Sequence, residues 1–161
     1  MPILRNCVAA FLKNDEKYLL MKRGENRRFA PGFWSGVGGH MEPCEINDPY
    51  KSCYREIEEE TGITKNGIKS LELLYIIIRR IEDEIHQNYI FFGETTQSEV
   101  TQTDEGTLFW IQSNRLSNRE YTPSFTAMVN HYTRRSPGDH AVYIGAADNG
   151  SDTLKMSWFC L

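Results

Sequence analysis

The sequence has no paired cysteines, no clustered histidines and no long apolar run, and each absence excludes a class of protein. Its four cysteines are scattered and form no C-x-x-C pair, and its four histidines show no metal-ligand spacing, which argues against a zinc site or a redox motif. No stretch approaches the ~18 apolar residues of a membrane helix, and residues 1–20 lack the basic start and apolar run of a signal peptide. We therefore expect a cytoplasmic protein with reduced thiols and no contact with a membrane.

Size and charge limit the domain organisation and the partners. A chain of 161 residues, 40% hydrophobic and 25% charged, fits a single domain with its own core over residues 1–161. Its net charge of -4 provides no overall positive field, so we expect no duplex nucleic acid partner. An anionic small molecule would have to be bound locally, by basic side chains or by a metal ion.

The first half of the chain predicts a hairpin, a glycine-rich loop and one helix. Residues 7–12 and 17–22 are apolar-rich runs that predict two strands joined by a turn of about four residues. The glycine density of residues 32–39 opposes helix formation and indicates a loop with a short strand. Asp48 and Pro49 favour a helix start, and Gly62 favours its end. Helical spacing predicts a core-facing set on this helix: Tyr50, Tyr54, Ile57 and Thr61.

The second half of the chain predicts more strands and a second helix. Strands are expected at residues 71–80, 85–94 and 107–111, with a charged turn between the first two. Residues 124–135 predict a helix, and residues 140–161 predict a C-terminal β-hairpin with its turn at Asp148-Asn149-Gly150. Two helices and about seven strands, several joined by hairpins, indicate an α+β fold with a mixed or antiparallel sheet.

The acidic half of the first helix carries the most chemical information. Glu56, Glu59 and Glu60 stand at i, i+3 and i+4, so their carboxylates share one face of the helix. Arg55 directly precedes Glu56. Such a face is either solvated or binds a cation, and its hard oxygen ligands suit Mg²⁺ or Mn²⁺ better than zinc. The glycine-rich loop that precedes the helix would let bare backbone approach a phosphate or a metal. A docked helix and an adjacent glycine loop favour the cation site.

This segment resembles the Nudix box, G-x5-E-x7-R-E-U-x-E-E-x-G-U, where U is a bulky apolar residue. Gly39 and Glu45 match its first half, and residues 55–63 match its second half at every defined position. Nine residues rather than seven separate Glu45 from Arg55, which leaves the placement of Glu45 open. Cys44 stands where many members carry glycine, and we expect it to be an inert thiol. The resemblance implies a Nudix-type α/β/α sandwich.

The resemblance also implies roles for the matched residues. Glu56, Glu59 and Glu60 would hold Mg²⁺, with Mn²⁺ as an alternative, helped by the backbone carbonyl of Gly39. Arg55 would orient a catalytic glutamate through an ion pair, since a guanidinium can fix the plane of a carboxylate.

Two further glutamates, Glu105 and Glu42, are candidates with less specific support. Family members often supply a further base from a later loop, for which Glu105 is the best local match. The alternative interpretation is that Glu105 is an ordinary acidic residue of a turn, with no role in catalysis. The implied catalytic set is then Arg55, Glu56, Glu59 and Glu105, and Glu42 is a candidate supporting residue.

Substrate-binding candidates lie between the hairpin and the box. Arg23 and Arg28, with Arg27 beside them, could meet a phosphate, and Trp34 could stack on a base. A solvated basic turn and a core aromatic residue are the alternatives.

The resemblance implies metal-dependent hydrolysis of a diphosphate bond in a nucleotide-like small molecule. No proline lies between Pro49 and Pro123, which weakens the ADP-ribose subclass and leaves a nucleoside triphosphate as the leading substrate. Dinucleoside polyphosphates, nucleotide sugars and capped RNA ends remain open. Two other classes also remain: a non-catalytic nucleotide sensor, and an enzyme like isopentenyl-diphosphate isomerase. A homodimer formed through the C-terminal hairpin is left open as well.

Overall fold

A computed structural model describes residues 1–148 and 154–161, which contain eight strands and two α-helices. In chain order the elements are β1 Ile3–Asn14, β2 Lys17–Arg23, β3 Trp34–Ser35, α1 Pro49–Thr61, β4 Ile68–Ile81, β5 Glu84–Thr95, β6 Gly106–Gln112, α2 Pro123–Tyr132, β7 Tyr143–Asp148 and β8 Lys155–Cys160. Short 3₁₀ turns occupy Pro43–Glu45, Lys65–Gly67 and Ser113–Asn118. No helix in the described ranges is long and apolar enough to cross a membrane.

One mixed sheet organises the fold. Its strand order is β3-β2-β1-β5-β4-β7-β8, and β6 pairs with β2. The β1–β5 and β4–β7 pairs are parallel, whereas the other named pairs are antiparallel. The mixed sheet with few helices confirms the predicted α+β class.

The two helices cover opposite faces of this sheet. α1 contributes Cys53 and Ile57 to a core that includes Val8 and Phe91. α2 contributes Met128 to the other core, which is centred on Tyr75 and the remaining apolar side chains of β1 and β5. Because side chains alternate between the two faces of a strand, one sheet serves both cores. This is the helix–sheet–helix sandwich that the motif resemblance implied.

The glycine-rich loop runs along β1 where β2 leaves it. β1 and β2 pair only at the turn, from Leu12 opposite Leu19 to Asn14 opposite Lys17. Further along β1, the Ala10 N–H donates to the Val37 carbonyl at 2.7 Å, and the Val37 N–H donates back at 3.0 Å. A Cβ atom on Gly38 would lie 2.0 Å from the carbonyl oxygen of Val8. The loop therefore needs glycine in order to lie this close to the strand.

Two local predictions need correction. The first hairpin has a two-residue turn, Asp15-Glu16, rather than about four residues; Asp15 takes a φ of 49°, a conformation that aspartate tolerates. Tyr50 faces the core only in part: its ring lies 4.8 Å from that of Phe91, but the residue is 40% exposed. Its hydroxyl accepts a hydrogen bond from the Leu73 N–H at 3.2 Å. Cys53, which the predicted set omitted, is fully buried.

The C-terminal strands extend the sheet at the edge that β4 forms. β7 runs parallel to β4, from Tyr143 opposite Tyr75, and β8 pairs antiparallel with β7. A hairpin-type pairing at the C-terminus was predicted. The tip of its predicted turn, Asn149 and Gly150, lies outside the described residues.

Candidate active site

Helix α1 begins and ends where its capping residues place it. The side chain of Asp48 accepts a hydrogen bond from the Lys51 N–H, and Pro49 occupies the first turn. Gly62 ends the helix with a φ of 74°, and its N–H donates to the Glu58 carbonyl at 2.9 Å. The two additional residues of the motif therefore precede the helix, in the exposed turn around residues 46–47. The spacing of the acidic side chains within the helix is unchanged.

Arg55 is hydrogen-bonded to three glutamates at once. Its Nε and Nη2 donate to the two carboxylate oxygens of Glu45, both at 2.9 Å. Its Nη1 donates to Glu56 at 2.8 Å and to Glu59 at 3.0 Å, and its Nη2 also reaches the His40 carbonyl at 3.0 Å. One guanidinium thus fixes the helix to the loop and positions two of the acidic side chains.

Glu45, whose placement the sequence left open, is the bidentate partner of Arg55. It is 2% exposed, and its carboxylate also accepts the Glu42 N–H at 3.1 Å. The hydrogen bonds from Arg55 lower the pKa of Glu45 to about 2, so the carboxylate is ionised at neutral pH. The longer spacing in this sequence leaves the Glu45–Arg55 pair intact.

Glu56 and Glu60 are buried, which the sequence did not indicate. Each is 8% exposed, and the Gly38 N–H donates to Glu60 Oε2 at 3.0 Å. Burial raises the pKa of Glu60 to about 7, and it also raises the pKa of Glu56. The charges of Arg23 and Arg27 act in the opposite direction on Glu60. Both carboxylates have little hydration, and Glu56 shares the single guanidinium of Arg55 with Glu45 and Glu59. This is a setting that favours a bound cation.

The fit to a divalent cation rests on this donor set. Glu56 and Glu60 supply hard carboxylate oxygens beside bare glycine backbone, which suits Mg²⁺ or Mn²⁺. The Gly39 carbonyl accepts the Val8 N–H at 2.9 Å, and a carbonyl oxygen has a second lone pair for a further partner. Glu59 is 58% exposed at its side chain and is paired with Arg55.

The predicted ligands are close but are not arranged as a finished metal site. Over residues 1–148 and 154–161, no three His, Cys, Asp or Glu side chains form a ready-made metal cluster. Glu56 and Glu60 lie against the loop, whereas Glu56 and Glu59 share the Nη1 of Arg55. A cation at this site would have Glu60 available at once, and Glu56 and Glu59 would have to share their oxygens with Arg55 or exchange that contact.

A Gly39→Ala substitution tests how closely the loop and the acidic helix approach. A Cβ atom at position 39 would lie 2.6 Å from Glu56 Oε2, so the carboxylate or the loop must move. We expect a loss of metal-dependent activity of about tenfold or more, measured as kcat/KM at saturating Mg²⁺. Gly138→Ala is the control for a general glycine effect, since a Cβ there meets nothing within 4 Å although φ is 78°. Unchanged activity in Gly39→Ala would show that the reaction does not depend on the close approach of Glu56 to the loop.

Of the three arginines before the loop, Arg23 and Arg27 interact with the acidic residues, and Arg28 does not within the described residues. Arg27 forms an ion pair with Glu105, and the Gly24 N–H donates to the Glu105 carbonyl at 3.3 Å. Arg23 and Arg27 also influence the charge on Glu60. Arg28 is exposed, and its side chain forms no hydrogen bond or ion pair within the described ranges. Nothing in the sequence distinguishes Arg27 from Arg28, because both stand in the same basic turn.

Trp34, the third predicted substrate residue, is half-buried and has neighbours of its own. Its ring lies 5.4 Å from that of Phe109, and the Arg119 guanidinium lies 5.2 Å from its centroid.

Glu105 belongs to the turn before β6, whose Gly106 pairs with Arg23 of β2. The pairing of β2 with β6 is therefore what brings Glu105 next to the basic turn.

Comparison with known proteins assigns this chain to a family. A family model described as the NUDIX domain matches residues 3–130. The nucleoside triphosphatase NudI of Salmonella arizonae is 41% identical over 58 residues, which are 36% of this chain and 40% of that protein. The chain thus matches two fifths of the length of this curated relative.

Solved structures share the fold at low sequence identity. The MutT protein from Bacillus halodurans superposes with a TM-score of 0.72 at 20% identity and covers 97% of both chains. A MutT protein from Methanosarcina mazei Go1 gives 0.71 at 22% identity, over 83% of this chain and 95% of that one. The NUDIX domain of Shewanella oneidensis NrtR, solved with ADP ribose, gives 0.63 at 16% identity over 84% and 88%.

Proposed function

The chain belongs to the Nudix hydrolase family, and we propose that it cleaves a phosphoanhydride bond in a nucleoside diphosphate derivative with the help of a divalent cation. The observation that carries this proposal is the position of Arg55 among Glu45, Glu56 and Glu59, beside the glycine loop. A purely structural ion pair would need one carboxylate for one guanidinium. Here Arg55 also holds Glu56 and Glu59, and Glu56 and Glu60 lie against bare backbone, at a cost that a bound cation would offset.

Each residue of the site has a proposed part in the reaction. Glu56 and Glu60, with the Gly39 carbonyl, would hold Mg²⁺ or Mn²⁺, which lowers the pKa of a coordinated water and neutralises phosphate charge. Glu59 is the proposed proton acceptor, because it is exposed and Arg55 positions it. Arg55 holds the carboxylates of Glu56 and Glu59 in position through hydrogen bonds. In-line displacement at one phosphorus then gives a monophosphate together with pyrophosphate or a second phosphorylated fragment.

Glu105 remains an alternative proton acceptor. Its ion pair with Arg27 places it next to a basic turn that a polyphosphate would approach. Binding of the substrate to Arg27 would release Glu105 toward the site. Arg23 and Arg28 are proposed to add positive charge for the substrate, and Trp34 to supply an aromatic edge.

A nucleoside triphosphate is the substrate that we propose first. The named activity of the Salmonella relative, a nucleoside triphosphatase, supports this choice over the matched segment. ADP-ribose stays an alternative, since the NrtR domain was solved with it. The four free thiols, of which Cys44 and Cys160 are exposed, support a reducing compartment such as the cytoplasm.

The decisive experiment is a product analysis on the purified protein. Nucleoside triphosphates, ADP-ribose, a dinucleoside polyphosphate and isopentenyl diphosphate are each incubated with Mg²⁺, with Mn²⁺ or with EDTA, and products are separated by chromatography. We expect a nucleoside monophosphate and pyrophosphate from a triphosphate, and no product in EDTA. Tight binding without turnover would instead establish a sensor, and conversion of isopentenyl diphosphate to its isomer would establish an isomerase.

A further inference from the structure

A cavity of about 570 Å³ lies between the C-terminal half of α2 and the strands β7 and β8. Eight of its ten lining residues follow residue 130, where the match to the NUDIX family model ends. The cavity is therefore built mainly by the part of the chain that the family model leaves unmatched. Its volume falls within the range of about 300–1,000 Å³ that is usual for small-molecule sites.

This cavity is separate from the acidic site. α1 and the glycine loop pack on one face of the sheet, whereas the residues around the cavity join the core on the other face. The loop lies beside β1, and three strands, β5, β4 and β7, separate β1 from β8 in the sheet. A ligand bound here would not share contacts with the carboxylates of α1.

One wall of the cavity is a fixed aromatic surface. The ring of Trp158 lies 4.8 Å from that of His131 and 5.4 Å from that of Tyr75. It also covers Gly145 so closely that a Cβ atom there would lie 2.5 Å from the indole. The hydroxyl of Tyr75 is hydrogen-bonded to His131 Nδ1 at 2.9 Å. Trp158 therefore lines the cavity as a half-buried aromatic side chain whose position these contacts fix.

The charged wall contains one arginine that is neutralised and one that is not. Arg135 is 5% exposed at its side chain and donates to Asp139 Oδ2 at 3.1 Å and to the Ala141 carbonyl at 2.8 Å. Asp139 also accepts the Tyr143 hydroxyl at 3.1 Å. Arg134 lines the same cavity, is exposed, and forms no ion pair with any residue that the structure describes. The cavity thus retains one uncompensated guanidinium.

We propose that this cavity binds a nucleoside monophosphate, with the base against Trp158 and the phosphate on Arg134. Stacking of a base on an aromatic ring stabilises binding, and a guanidinium matches the geometry of phosphate oxygens. Asn130 and Ser136, which also line the cavity, supply amide and hydroxyl groups for the base edge or the sugar. A neutral ring would leave Arg134 unused, and a free phosphate would leave the aromatic wall unused. The inference goes beyond the proposed hydrolysis and does not depend on it.

The test is equilibrium dialysis in EDTA, which removes any metal-assisted phosphate binding at the acidic site. The probe AMP carries both the base and the phosphate. Adenosine carries the base without the phosphate, and ribose 5-phosphate carries the phosphate without the base. We expect AMP to bind at least about tenfold more tightly than either fragment, and Arg134→Ala to weaken AMP binding by about tenfold or more. Arg115→Ala is the matched control, because Arg115 is an exposed arginine that does not line the cavity, and it should leave binding unchanged.

Three results would overturn the proposal. Arg134→Ala could bind AMP as wild type does, adenosine could bind as tightly as AMP, or Glu59→Gln could abolish AMP binding. The last result would place the nucleotide at the acidic site instead. Arg134→Ala is expected to hydrolyse substrate at the wild-type rate, so a failure of the second site and a failure of the proposed hydrolysis are distinguishable.

Discussion

Glu59→Gln is expected to lower kcat by about 10²–10⁴-fold, the usual contribution of a positioned general base. Glutamine keeps the shape of the side chain and can still accept a hydrogen bond from Arg55, but it cannot accept the proton of the attacking water. Because Glu59 is 58% exposed at its side chain, folding should be almost unaffected; an exposed i,i+4 ion pair contributes about 0.3–0.5 kcal/mol. Steady-state rates at saturating Mg²⁺ and urea unfolding would measure the two effects separately.

Glu58→Gln is the matched control for this substitution. Glu58 is exposed on the same turn of α1, and its side chain makes no hydrogen bond within the described ranges. The control removes one negative charge from the helix without touching the site, so its kcat should stay at the wild-type value. A Glu59→Gln kcat within about threefold of wild type would refute the assignment. If Glu105→Gln then showed the large loss, the base would be Glu105.

The local features of this site were predictable from the sequence because they depend on near neighbours in the chain. Asp48, Pro49 and Gly62 fix the bounds of α1 through backbone hydrogen bonds and one left-handed residue, all within one turn of each end. The spacing of Arg55 and Glu59 then follows from the helix repeat. The glycine density of residues 32–39 likewise indicates a loop, because glycine disfavours a helix.

Features that depend on distant segments were not predictable. Glu56 and Glu60 belong to the polar face of α1 by spacing, yet the glycine loop covers them because β2 diverges from β1 and leaves room beside that strand. Burial of both therefore depends on strand pairing far along the chain. The contact of Arg27 with Glu105 arises in the same way, from the register of β2 with β6. Periodicity within one segment carries no information about either contact.

Removal of the guanidinium at position 55 should have the largest effect on stability. Arg55→Ala would leave the carboxylate of Glu45, which is 2% exposed, buried without its partner, and breaking a buried ion pair in this way costs about 3–5 kcal/mol. Arg55→Lys should recover part of this loss, because an ammonium restores the charge but cannot make the bidentate contact. Urea unfolding at pH 7 measures both variants, with Arg115→Ala as the surface control. Free energies of unfolding equal to wild type in Arg55→Ala would contradict the role given to this pair.

The same pair predicts how stability depends on pH. The hydrogen bonds from Arg55 lower the pKa of Glu45 from 4.5 to about 2 in the folded protein. A carboxyl group whose pKa is lowered on folding stabilises the fold at pH values above its pKa in the unfolded chain. This contribution is lost as the pH falls from 4.5 toward 2. Glu45→Gln removes the titrating group, so its deficit relative to wild type should be largest at pH 7 and should shrink below pH 4. A deficit that stayed constant between pH 7 and pH 3 would mean that Glu45 stabilises the loop by packing rather than by its charge on Arg55.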